Sequence, residues 1–280
     1  LKNLRNTEWR IKDDALCNSC NKLGAITFTH KLYTDFNIEK HKKLSWMDKF
    51  TYAEDGICMS CGHFQRYSSL TRQELDEYLN LFSDKSKTKE GLISESSIYK
   101  GEESRTKVMQ ALRREHLRNV KVNRIYMARP TSVIMVGEAK NIFHPQNIDI
   151  VENNEVIKSE IIKIYGRNDW LNIREECQVH GRTDFPPEYD LYVITHCLQH
   201  SINLKKDLDS LEKQVKLGAK VLLLDEVQRK IHNPFHVNHM SEIFLTRELR
   251  NRGLYTTLIQ DMTREADETI KGLQSSNKYT

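Results

Sequence analysis

The carboxyl-terminal half of the chain alternates short apolar runs with stretches of helical period. The runs are Ser132 to Gly137, Ile148 to Val151, Leu191 to Thr195 and Val221 to Asp225, with a further one near Tyr255 to Ile259. Each has the length of a buried strand. Between the third and fourth, Leu204, Leu208, Leu211 and Val215 recur at spacings of three and four, which places them on one side of a helix that Gly218 ends. A second such helix starts at Ser241, carries Ile243, Phe244 and Leu249, and stops at Gly253. Strands separated by helices pair in parallel, so the pattern predicts an α/β fold with helices on both faces of a sheet.

The amino-terminal half reads differently. Thr71 as N-cap, Glu74 three residues on and Leu70 facing Leu75 form a helix start, followed by an apolar face of Leu75, Tyr78, Leu79 and Phe82. From Ser83 to Gly101 the text turns to Ser, Lys, Thr and Gly, the composition of a hinge. A further helix is predicted from Glu102 to Asn119, with Val108, Ala111 and Leu112 apolar and Arg105, Lys107, Arg113, Arg114 and Arg118 basic. These breaks divide the chain into a module at 1–82, a linker and basic helix at 83–125, and an α/β domain at 126–280.

Four cysteines give the amino-terminal module its chemistry. Cys17 and Cys20, and Cys58 and Cys61, are each separated by two residues, the spacing of paired knuckles that close on a tetrahedral zinc ion. Gly62 supplies the positive φ that such a turn needs. The competing reading is four buried or disulfide-bonded thiols, which the spacing within each pair disfavours. Cys177 and Cys197 lie in apolar stretches, where a thiol packs as a small hydrophobe. A thiol-rich metal site without a secretory signal points to a reducing cytoplasm.

Composition bounds the partners. With 280 residues, 38% of them hydrophobic, the chain can bury a large core, and no apolar run approaches the length of a membrane span. The net charge of +4 suits an anionic partner, such as a nucleotide-linked substrate or RNA, and equally a solvated basic face. No nucleophile triad, phosphate-binding loop or paired-carboxylate motif is present, which disfavours hydrolase and kinase chemistry.

The stretch Asp190 to His200, the helix after it and Leu217 to Leu224 resemble the central strand, helix and next strand of class I S-adenosylmethionine-dependent methyltransferases. Phe235 to Ser241 and the helix to Leu254 resemble a segment near the end of that fold. Cys61, Gly62, His63, Phe64 and Gln65 resemble the zinc-binding module fused to bacterial sugar C-methyltransferases. The resemblance implies a Rossmann-like sheet with an amino-terminal zinc-ribbon-like module, S-adenosylmethionine as cofactor, structural zinc, and a nucleotide-linked sugar or glycan precursor as acceptor. It places the cofactor's glycine-rich loop on Val133 to Asn141, where Gly137 is the one glycine kept and the later ones fall on Ala139 and Asn141. It assigns Glu152 to the ribose hydroxyls and Asp184 to the adenine. His200 falls on the family's proposed catalytic histidine, with Gln199 in place of the preceding glutamate, and His196 is the second candidate base.

His232, His236 and His239 form another cluster, which Asn233 and Pro234 turn from a helical metal site into a loop contributing to a substrate pocket. Two functional classes follow. One is a methyltransferase whose zinc module covers the substrate; the other is a methyltransferase-like scaffold that has lost its cofactor loop and holds RNA or a protein. An RNA methyltransferase is a third, supported by the basic run from Arg113 to Arg124.

Overall fold

A computed structural model describes residues 10–12, 15–23, 26–32, 53–67, 102–130, 133–152, 155–166, 168–174, 185–195, 197–201, 203–224, 237–239 and 242–254. In chain order these form β1 (Arg10–Lys12), β2 (Ile26–Leu32), β3 (Ala53–Cys58), β4 (Phe64–Tyr67), α1 (Glu102–Glu115), β5 (Arg124–Ala128), α2 (Val133–Phe143), β6 (Asn147–Val151), α3 (Glu155–Tyr165), β7 (Leu171–Arg174), β8 (Leu191–Thr195), a 3-10 turn (Leu198–His200), α4 (Leu204–Lys216), β9 (Lys220–Leu224), β10 (Asn238–His239) and α5 (Glu242–Asn251).

The strands sort into two sheets. One is antiparallel in the order β1-β2-β3-β4-β10, and the other runs β7-β6-β5-β8-β9 with every pair parallel. Counting parallel strands along the chain, the second order is 3-2-1-4-5, so the chain steps outward from β5 to β7 and then returns to the other side of β5. This is the Rossmann-like arrangement, with its switch point between β5 and β8.

Side-chain alternation explains why the parallel sheet is buried on both sides. Ile125, Met127, Ile148, Ile150, Leu191 and Val193 join Met109 of α1, Val133, Met135, Val136, Ala139 and Phe143 of α2, and Ile157 and Ile161 of α3. On the opposite face Tyr126, Ala128, Val151, Tyr192 and Ile194 pack with Leu204, Leu208 and Leu211 of α4 and Phe244 and Leu249 of α5. Tyr126, Tyr189, Tyr192 and Phe185 meet edge-on or tilted, with ring centroids 5.3 to 6.1 Å apart. That geometry suits the aromatic quadrupole. The Asp190 carboxylate accepts from the backbone N–H groups of Asn123 and Arg124 at 2.7 and 2.9 Å, which fixes the start of β5 beside β8.

The expected strand from Ser132 to Gly137 is instead the start of α2. A four-residue apolar run fits a strand or a fully buried helix equally well, and here the residues that follow extend the burial through Ala139 to Phe143. The first parallel strand lies upstream at Arg124–Ala128, where Arg124 obscures its apolar character. The remaining expected strands agree within a residue, and α1 ends at Glu115 rather than Asn119. Gly218 and Gly253 close α4 and α5 with φ of +101° and +72°. The helix expected after Thr71 and the strand near Tyr255 lie outside the described residues.

Gly137 therefore has a packing role. A Cβ there would lie 2.2 Å from the Tyr165 hydroxyl oxygen and 2.9 Å from its ring carbon, so α2 and α3 approach each other through the missing side chain. The same hydroxyl donates to the Val133 carbonyl at 3.1 Å.

Candidate metal centre and the carboxyl-terminal edge of the parallel sheet

The two cysteine pairs fold into matching turns. Cys17 N–H donates to the Lys22 carbonyl and Asn21 N–H to the Cys17 carbonyl; Cys58 N–H donates to His63 and Gly62 N–H to Cys58 in the same pattern. Each turn has a residue of positive φ at the same place, Asn21 at +57° and Gly62 at +71°. Gly62 was expected there. Asn21 is the counterpart that the spacing alone leaves unmarked, although asparagine is among the few residues that enter this conformation readily.

The four sulfurs, all on free cysteines, lie within 4.8 Å of one another. Cys17 Sγ is 3.6 Å from Cys61 and Cys20 Sγ is 3.7 Å from Cys58. A zinc ion with Zn–S bonds of about 2.3 Å sets tetrahedral ligands about 3.8 Å apart, so the donor set fits. The Cys61 thiol is pushed down to about 5, chiefly by the hydrogen bond from Cys17, whose own thiol is pushed up by the same contact. Crowding already favours a thiolate on one side of the cluster, and a divalent cation would extend that state to all four.

The centre is built into the α/β domain. The short strand β10 pairs with β4, opposing Asn238 to Gln65 and His239 to Phe64. His63 lies on the Phe244 ring at 4.5 Å, Cys61 packs against the core on the α5 side, and Lys205 N–H at the start of α4 donates to the Asn18 carbonyl at 2.9 Å. Fully buried Asn238 links these parts, with its amide nitrogen donating to the carbonyls of Leu198 and Ser201 at 2.8 and 2.6 Å. Its oxygen must then accept, which makes His63 Nε2, 3.0 Å away, a donor. Burial pushes the His63 imidazolium down to about 4, so the ring is neutral at ordinary pH and carries its proton on Nε2.

The carboxyl ends of the parallel strands form the second region of interest. After β5 comes Arg129 at φ +55°, whose N–H donates to the Val151 carbonyl at 2.8 Å. Glu152 follows β6 directly and is 3% exposed. Thr195 ends β8 in full burial, and the Cys197 thiol lies 3.2 Å from the Thr195 carbonyl. The 3-10 turn that follows carries Gln199 and His200, both buried. Glu152 and His200 both stand past the carboxyl ends of strands. Gly137 does not, because it lies within α2. Asp184, His196, His232 and His236 lie outside the described residues. His239 sits in β10 with its ring 4.9 Å from that of Phe64, within the antiparallel sheet. Sequence reasoning missed Asn238, a lone amide that no spacing rule marks.

The basic helix is partly committed within the fold. Arg113 donates to the Leu117 and Val120 carbonyls, capping its own turn, and Arg114 pairs with Glu115 at 2.9 Å. No described helix is long and apolar enough to cross a membrane.

No protein-family model and no curated protein matches the sequence. Among solved structures, the chain is similar to a SAM-dependent methyltransferase from Leishmania major at 10% identity and a TM-score of 0.46, covering 66% of this chain and 74% of that one. It is also similar to magnesium protoporphyrin IX methyltransferase from Synechocystis with bound SAH, at 10% identity, a TM-score of 0.41 and coverage of 63% and 84%. An O-methyltransferase family protein from Burkholderia thailandensis matches at 13% identity and a TM-score of 0.39, over 68% of each chain.

Proposed function

We propose that this chain is an S-adenosylmethionine-dependent methyltransferase acting on a small molecule, with a nucleotide-linked sugar or glycan precursor as acceptor and a structural zinc ion held by Cys17, Cys20, Cys58 and Cys61. The observation that carries the reading is the buried carboxylate of Glu152 immediately after the second parallel strand of a 3-2-1-4-5 sheet. A carboxylate at that position can accept from both hydroxyls of a ribose.

The cofactor supplies an electrophilic methyl group, so the protein's work is to orient two substrates and remove a proton from the acceptor. Glu152 would hold the ribose, and Asp184 is assigned to the adenine. His200, on the turn following β8, would take the acceptor proton, with His196 as the neighbouring candidate. Gln199 beside His200 cannot accept a proton as a glutamate would, which leaves the imidazole itself as the base. The zinc module, bonded to that turn through Asn238, would cover the acceptor.

One observation favours the alternative, a scaffold that binds a protein or RNA partner. Between β5 and α2 the chain reads Arg129, Pro130, Thr131 and Ser132, with no glycine to admit a cofactor against the backbone.

Calorimetric titration of the full chain with S-adenosylmethionine and S-adenosylhomocysteine separates the two. Micromolar binding is expected, and its absence at millimolar ligand would sink the enzyme reading. With an acceptor in hand, His200→Ala should lower turnover about 10²- to 10⁴-fold while cofactor affinity holds. Equal loss of both would make His200 structural.

A further inference from the structure

The antiparallel sheet reaches the His200 turn through the Asn238 amide. Asn238 donates to both ends of the turn, the Leu198 and Ser201 carbonyls, while its oxygen receives His63 Nε2 at 3.0 Å and Asn18 Nδ2 at 3.4 Å. These two partners belong to different knuckles: Asn18 lies between Cys17 and Cys20, and His63 follows Cys61 by two residues. Gln65 ties the knuckles to each other, since its oxygen receives Asn18 N–H at 2.8 Å and its nitrogen donates to the Leu16 carbonyl at 3.1 Å. Asn238, His63, Gln65 and Ser201 are all at most 2% exposed, so water cannot substitute for a broken member.

A 3-10 turn of three residues is held by His200 N–H to the Cys197 carbonyl and Ser201 N–H to the Leu198 carbonyl, both at 3.1 Å. Such short turns have poor hydrogen-bond geometry and rely on their surroundings. The Leu198 carbonyl receives the Ser201 N–H and the Asn238 amide together, which uses both of its lone pairs.

We infer that Asn238 is a positioning residue through which closure of the cysteine knuckles on a metal ion holds the Leu198–Ser201 turn, and with it His200, in place at the carboxyl end of β8. The inference rests on the reading of the four sulfurs as a zinc site and of His200 as the acceptor's base. When the knuckles are closed, Asn18 and His63 are both presented to the Asn238 oxygen and its amide nitrogen is aimed at the turn. When they open, the amide loses both fixed partners, and the turn loses the two bonds that Asn238 donates.

The test is hydrogen exchange of the full chain, read by mass spectrometry, on wild-type protein with zinc, on the same protein after chelation, and on Asn238→Asp with zinc. The aspartate keeps the shape and the acceptor facing His63 but sets a carboxylate oxygen against two carbonyls. Exchange at His200 and Ser201 should quicken about tenfold or more both on chelation and in the variant, as expected for losing two buried hydrogen bonds. The variant should still hold one zinc per chain, and β5 and β8 should stay protected. Unchanged exchange at the turn while the knuckles lose protection would overturn the inference. So would loss of the turn solely together with β5 and β8, which would mean that zinc sustains the whole fold rather than this contact. Titration with S-adenosylhomocysteine runs in parallel: a turn that responds as expected in a protein that does not bind the ligand supports the coupling and refutes the enzyme reading.

Discussion

At the two knuckles the buried cluster described is Ala15, Cys17 and Cys58, with Cys20 and Cys61 against it, whereas the parallel sheet is covered on one face by α1, α2 and α3 and on the other by α4 and α5. Among the described residues the first cluster is made of thiols and one alanine, and the second region has an apolar core on each side. On the proposed zinc reading, a metal ion would tie the two knuckles of the antiparallel sheet together. The two regions share one molecule yet should respond to different insults, chelators for one and cavities or overpacking for the other.

Metal removal makes the sharpest break. Chelation, or Cys17→Ser with Cys58→Ser, should abolish the antiparallel sheet, since structural zinc contributes about 10 kcal/mol or more in small metal-folded domains. Protection of β2, β3 and β4 should vanish while that of β5, β6 and β8 remains, as hydrogen exchange would report. Uniform loss across both sheets would erase the contrast. The affinity for zinc should also fall with pH, because protons compete for each thiolate.

Gly137→Ala probes the other region. Its Cβ would press on the Tyr165 hydroxyl and ring, so thermal unfolding should show a destabilisation of about 1–3 kcal/mol with zinc content unchanged. An unchanged melting temperature would show that α2 and α3 can separate freely, and that the glycine is there for some other reason.

The smallest effect is expected at Asn21. Asn21→Val forces a β-branched residue into positive φ, which should cost about 1–2 kcal/mol and weaken zinc binding in a competition titration. Asn21→Gly should bind at least as tightly. A valine that leaves affinity intact would mean that the first knuckle tolerates another backbone path.

The parallel sheet was legible where strands carried unbroken apolar runs, as at Leu191 to Thr195, and where glycine ended a helix, as at Gly218 and Gly253. It was misread where a buried helix began with Val133, Ile134, Met135 and Val136, a run that has no period of its own. That one shift carried the expected glycine loop onto Gly137 and hid β5 behind Arg124. The strand β7 (Leu171–Arg174) also escaped notice because Asn172 and Arg174 interrupt its apolar residues. In the metal centre the cysteines were plain, since thiol spacing is a local property. Asn238 was not, because its role depends on partners at positions 18, 63, 198 and 201, which only the folded chain brings together.

The pairing of β10 with β4 also bears on the order in which the chain can fold. Asn18 and Asn238 are 220 residues apart, yet the sheet that begins beside the first knuckle takes its last strand, β10, from beyond β9. During synthesis the knuckles emerge early and can bind metal, but their sheet keeps an open edge at β4 until nearly the whole α/β domain has left the ribosome. The last strand to join would thus be the one that closes an edge exposed since the beginning, and pairing of such high contact order is slow. A nascent chain stalled before β10 is accordingly the form most exposed to edge-to-edge association.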